Sequence, residues 1–229
     1  MSISFCSPKK EDLQFIPLSL PLLDYEKGVY CSTVHNCGYY FAYGSGSKIV
    51  IIVGGTHIYN ILEGHEDEIV ALSFEPRYPH LISCDKSGFL IFWHYIDSHW
   101  LSSPQMHLSH PATSVCWFSA RREIFISNAK GLLFTSNKDI ENDCKVLVPE
   151  SHVCVYNYDA ALLLSHSHSK SIHLFVHRTT KLIHAMIAAP VKIVESGFIP
   201  NQSNVYTFNE DGSFRIYAQS SLGEYGCTF

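Results

Sequence analysis

Two groups of side chains have the types and spacing that could support chemistry. His166, His168, His173 and His177 crowd into one short stretch of a chain that carries 14 histidines. On a strand, residues two apart share a face, so the imidazoles at 166 and 168 could ligate one metal ion. The run His166-Ser167-His168-Ser169-Lys170 reads instead as an exposed turn, and no cysteine or carboxylate stands close in sequence to complete a ligand set. No metal is therefore expected. The second group is His65 with Asp85. An imidazole and a carboxylate are the parts of an acid–base pair. Buried together, the same groups make hydrogen-bonded clamps that hold turns, and the clamp is the stronger reading.

Other catalytic arrangements are missing from the sequence. It has no Gly-x-Ser-x-Gly elbow and no His-Glu-x-x-His motif. Gly44-Ser45-Gly46 is a turn fragment, since no Lys-Ser/Thr follows to make a phosphate loop. None of the eight cysteines shows Cys-x-x-Cys spacing, so reduced, mostly buried thiols are expected. No catalytic residue and no cofactor are assigned, and the protein is read as a non-enzyme.

The elements that must hold these groups follow from an internal rhythm. Gly64-His65 precedes an alternating apolar stretch, Ile69 to Phe74. Pro76 and Pro79 mark a loop. Leu81-Ile82-Ser83 leads into the polar turn Asp85-Lys86-Ser87-Gly88, and Phe89 to Trp93 closes the unit. From Trp93, steps of 41, 41 and 42 residues reach Phe134, Phe175 and Tyr217, and a step of 42 back reaches Ile51. A strand follows a small polar turn at every stop. Short β-branched and aromatic runs between regular turns predict an all-β chain with no long helix. The units run over about 28–64, 65–110, 111–150, 151–190 and 191–218.

The last unit shows strands near 192–199, 205–208 and 214–218 and then only a tail, 219–229, so its fourth strand is expected to be missing. The segment 1–27 carries strand-like stretches at Ile3–Cys6 and Leu13–Ile16. One of these could supply the missing strand and so cover an edge that invites aggregation. Trp117 is expected inside its unit. Trp100, after a polar loop, is the candidate interface anchor.

Composition narrows the functions. Charged residues are 16% and aromatics 13%, with a net charge of −5 and no basic stripe. Direct nucleic-acid binding is not expected, and low charge with many aromatics suits a surface partly covered by protein partners. The apolar N-terminal stretch 15–23 is broken by Pro17 and Pro21, so neither a signal peptide nor a membrane span is expected. The reading is an intracellular protein.

Gly64-His65 followed 28 residues later by Trp93 resembles the WD repeat, whose units are four-stranded blades of a β-propeller. The likeness covers 28–218, with one well-formed unit and four weaker ones. It implies a network joining a His before the first strand, a Ser or Thr on the second, an Asp in the next turn and the Trp of the third. His65 and Trp93 match. Ser87 stands at the Asp position and Asp85 at the Ser/Thr position, so the pair is exchanged or the network incomplete. Asp211 matches the turn position of the fifth unit, where Tyr217 replaces Trp. Five blades leave three arrangements open: a closed five-blade ring, an open ring filled by a partner, or a shortened form of a longer protein.

A narrower likeness rests on Ala42-Tyr43-Gly44, Leu62-Glu63-Gly64-His65 and His110-Pro111-Ala112-Thr113-Ser114-Val115-Cys116-Trp117. Together they resemble the small WD-repeat nucleoporins of the Y-shaped scaffold of the nuclear pore. That resemblance implies a structural subunit at the nuclear envelope, docked on a larger helical partner. The alternatives are a cytoplasmic coat or vesicle-scaffold propeller, and a peptide-recognition module such as a ubiquitin-ligase substrate receptor.

Overall fold

The computed structural model describes residues 31–35, 37–54, 59–103, 106–117, 123–135, 145–149, 151–157, 161–167, 169–178, 181–199, 202–219 and 225–227. The segment 1–27, expected to offer a closing strand, lies outside them. Among the described residues every regular element is a strand. The first sheet is β1 (Ser32–Val34), β2 (Tyr40–Ser45), β3 (Lys48–Val53) and β4 (Tyr59–Leu62). The second is β5 (Ile69–Phe74), β6 (Leu81–Asp85), β7 (Phe89–Ile96) and β8 (His99–Ser102), with β9 (Met106–His107) paired to β7. The third is β10 (Ser114–Trp117), β11 (Ile124–Asn128), β12 (Gly131–Thr135) and β13 (Lys145–Val148). The fourth is β14 (Val153–Asn157), β15 (Leu162–His166), β16 (Ser171–Arg178) and β17 (Lys181–Ala188). The fifth is β18 (Ile193–Phe198), β19 (Val205–Asn209), β20 (Phe214–Gln219) and β21 (Tyr225–Cys227). In each the four main strands are antiparallel neighbours in sequence order.

The period-two pattern becomes packing between sheets. In β6, Leu81 points into an apolar cluster shared with the first sheet, whereas Ile82 and Cys84 point into one shared with the third. The whole of β6 is therefore buried, as are β11 and β15. Similar clusters join the third sheet to the fourth through Phe125, Leu132, Leu163 and Phe175, and the fourth to the fifth through Leu164, Leu174, Val205 and Tyr217. Each fully buried aliphatic side chain contributes about 1.5–3 kcal/mol.

The fifth sheet corrects one expectation. It does not stop at three strands, because Tyr225–Cys227 pairs with β20, Ala218 opposite Gly226. A three-residue strand is too short for alternation to show in the sequence. Trp93 does not end its strand either. β7 runs on to Ile96 and returns as β8 through Asp97 and Ser98, whose φ values of 49° and 66° give a tight two-residue hairpin turn.

Glycine closes the turn after the second strand at a repeated position. Gly88, Gly131 and Gly212 have φ values of 93°, 118° and 78°. A Cβ on Gly131 would lie 2.0 Å from the Val148 carbonyl oxygen, so backbone, not a yielding side chain, stands in its way. Gly131→Ala is expected to destabilise the fold by more than about 1 kcal/mol in urea unfolding. Gly226→Ala, which meets nothing within 4 Å, is expected to stay within about 0.5 kcal/mol.

Candidate functional site

The residues gathered most closely are His65, Ser83, Asp85, Ser87 and Trp93. His65 stands in the loop before β5. Ser83 and Asp85 are two apart on β6 and so share the face turned to the first sheet, and Trp93 lies on β7 opposite Leu81. A Cβ on Gly64 would sit 3.1 Å from the Trp93 ring, which would have to give by a few tenths of an ångström. The Trp93 indole N–H donates to Ser83 Oγ at 2.8 Å, and Ser83 Oγ lies 2.6 Å from His65 Nε2. His65 Nδ1 is 2.8 Å from Asp85 Oδ2. The other carboxylate oxygen accepts from the Ser87 hydroxyl at 2.7 Å and the Phe89 amide at 2.9 Å. A consistent assignment of protons runs one way, with Ser83 donating to Nε2 and Nδ1–H donating to the carboxylate.

This geometry corrects the sequence assignment of roles. Asp85 caps the turn and holds the imidazole, Ser87 only supports Asp85, and the bridging hydroxyl belongs to Ser83. Ser83 was legible in principle, since it precedes Asp85 by two on the same strand. Counting back from Trp93 put Asp85 in its role instead.

The Ser83–His65–Asp85 order has the hydrogen-bond logic of a serine hydrolase triad, so access decides what it can do. The His65 and Asp85 side chains are 1% and 0% exposed, and Ser83 is 0% exposed. Ser83 Oγ also accepts the Trp93 indole proton, which ties up a lone pair a nucleophile would use. Sealed in this way, the network locks the turn and does not meet a substrate. Burial lowers the His65 pKa against the pull of Asp85, so the ring is held neutral. For Asp85, burial raises the pKa, but the bonds from Ser87, His65 and the Phe89 amide outweigh it and hold the group below its ordinary value.

Elsewhere the same strand position is filled differently. Asn128 caps its turn through the Lys130 amide and reaches the His110 carbonyl, and Asn209 bonds Ser213. Asp211 is exposed and accepts from the Ser213 amide and hydroxyl, with no His or Trp in its circuit. Between the third and fourth sheets, Ser127, Ser151 and Ser165 form a buried hydroxyl chain with 2.7 Å links, which the sequence reading did not find. His166, expected on an exposed turn, is fully buried at the end of β15. His173 is half-buried opposite Ser165, His168 lies outside the described residues, and nothing is described of the His177 side chain. Among the described residues, no group of three or more His, Cys, Asp or Glu is placed to hold a metal.

Trp117 is buried between the second and third sheets, edge-on to Phe92 at 5.1 Å. Trp100 is half-buried on β8, 5.1 Å from Tyr95, and its Nε1 has no acceptor among the described residues. It forms one wall of a groove of about 470 Å³ between the first and second sheets. No helix of the described residues is long and apolar enough to cross a membrane.

No family model matches this chain, and no curated protein matches it by sequence. Its architecture is nevertheless shared with solved structures. It is similar to the Cps50 (Swd1) β-propeller domain of Myceliophteria thermophila, at a TM-score of 0.68 and 16% identity, over 86% of this chain and 67% of that one. A chain of the mitotic checkpoint complex gives 0.70 at 15% identity, over 90% and 65%. The WD40 repeats of RRP9 give 0.66 at 14%, over 88% and 65%. At these identities the likeness is one of fold: an all-β, WD40-type propeller architecture of five described blades. The chain spans about two thirds of the length of the structures it matches.

Two measurements test the sealed network. Ser83→Ala leaves the His65 and Trp93 nitrogens buried without their partner and is expected to cost about 1–3 kcal/mol in urea unfolding. His65 titrates below its ordinary 6.5 and Asp85 below 3.8 in the folded chain. Above 6.5 neither the folded nor the unfolded state protonates His65. Below it the unfolded chain takes up a proton that the folded one refuses, so stability falls as pH falls. The Asp85 contribution is complete above 3.8 and is lost as pH drops further through the folded value. Urea midpoints from pH 8 to pH 3 are expected to decline first below 6.5, and His65→Asn is expected to flatten that first step.

Proposed function

We propose that this WD40-type propeller is a non-catalytic scaffold subunit of a larger protein assembly. One observation carries the reading. Clusters of buried apolar residues join each of the first four sheets to the next, but among the described residues none lies on the face of the fifth turned away from the fourth, which carries aromatic rings. Tyr206, Phe208 and Phe214 lie there beside Glu195, with Phe208 and Phe214 rings 4.9 Å apart. Phe208 is 46% exposed and Phe214 40%. Contiguous apolar surface of this kind marks a place that another protein covers. In the longer propellers that the chain resembles, about a third of the molecule lies outside the match.

The partner is a larger helical scaffold subunit that lays an apolar surface on these rings. The best specific assignment is a nucleoporin of the nuclear pore Y-complex at the nuclear envelope. Its support is the likeness at Ala42–Gly44, Leu62–His65 and His110–Trp117.

Affinity purification from native extract, with partners identified by mass spectrometry, tests both levels. The expected result is a stoichiometric helical partner whose recovery falls about tenfold or more with Phe208→Ser/Phe214→Ser. A monodisperse chain without partners overturns the scaffold reading. A coat or ligase partner overturns the nucleoporin assignment alone.

A further inference from the structure

We propose that Cys37, with His35 as its general base, is a site of reversible modification that exchanges with small disulfides of the glutathione type. The pair lies in the turn between β1 and β2, and the inference does not depend on the scaffold reading.

The geometry joins three parts. The nucleophile is accessible: Cys37 is exposed, whereas Cys84, Cys116 and Cys154 are buried. The base is within reach, because Cys37 Sγ lies 2.9 Å from His35 Nδ1. The Cys37 amide also donates to Nδ1, at 3.3 Å, so Nδ1 is the unprotonated ring nitrogen and accepts from the thiol. The third part is a donor aimed at the sulfur. The Tyr39 amide donates to Sγ at 3.4 Å, where negative charge develops as the proton leaves.

The ring is held in place for this role. His35 is 5% exposed and sits edge-on to Phe74 at 5.6 Å and to Tyr40 at 6.0 Å. The turn is pinned by the His35 amide on the Tyr40 carbonyl and the Gly38 amide on the His35 carbonyl, with Gly38 at φ 69°. Burial lowers the His35 pKa, against the Glu75 charge and the Tyr78 and Glu75 carbonyls. The imidazole is therefore neutral at pH 7 and able to take a proton. Among the described residues no third His, Cys, Asp or Glu joins the pair to make a metal site.

The step balances without a further reactant. His35 Nδ1 takes the thiol proton as Sγ attacks one sulfur of the disulfide. A Cys37–sulfur bond forms and the old S–S bond breaks. Its electron pair leaves on the departing thiolate, which recovers the proton from His35. Cys37 is oxidised and the departing sulfur reduced.

The probe is glutathione disulfide at neutral pH on the whole chain, with the rate at each cysteine read by mass spectrometry of tryptic peptides. Fragmentation of peptide 28–48 separates Cys37 from Cys31. Cys37 is expected to react about tenfold or more faster in the native chain than in the same chain unfolded in urea. Exposure alone cannot lift a native thiol above its own unfolded rate. His35→Phe, which keeps a packed ring, and His35→Asn are each expected to remove that acceleration while leaving the rate at Cys227, exposed on the fifth sheet, unchanged. If both variants unfold, the native-to-unfolded ratio in the wild type decides. A native rate at Cys37 no higher than the unfolded one, or an acceleration that survives in folded His35→Phe, overturns the proposal.

Discussion

A sheet of this chain has two apolar faces and cannot cover either by folding on itself. Everything else in the structure answers that constraint. Strands alternate so that Leu81 goes one way and Ile82 the other, and the neighbouring sheets on both sides supply the cover. Stability is therefore shared between nearest neighbours, as in other repeat architectures. The second, third and fourth sheets are covered on both sides. Among the described residues the fifth is covered on one, and its other face carries Phe208 and Phe214.

Chemistry-like groups are subordinate to this packing. Ser83, His65 and Asp85 would be a hydrolytic triad at an accessible surface. Here they lie where the first two sheets meet, and their hydrogen bonds fix a turn and the Trp93 ring against Gly64. A buried polar network tolerates no missing member, which is why Ser83 matters as much as the more conspicuous His65. The blades without this set fill the same place with shorter polar groups, such as Asn128 or the chain Ser127–Ser151–Ser165.

The sequence made the rhythm legible because turn residues and apolar alternation recur at a constant spacing. The strand class and the unit boundaries near 64, 110, 150 and 190 followed from it. What escaped had local causes. Strand β21 is three residues long, so no alternation could announce it. Ser83 escaped because the count from Trp93 settled on Asp85, two residues further along the same strand. His166 looked like a turn residue because serines surround it, yet its place at the end of β15 buries it. Pairing decides burial there, and pairing is not local. The Trp100 groove lies between two units, so no single unit could reveal it.

Residue-resolved amide hydrogen exchange tests most directly whether cover from both sides is what holds the chain. The central strands β6, β11 and β15, whose residues are buried throughout, should exchange slowest and close to the rate set by global unfolding. Strands β20 and β21 should exchange well before them. Equal protection across the five sheets, or slowest exchange in the fifth, would contradict the account.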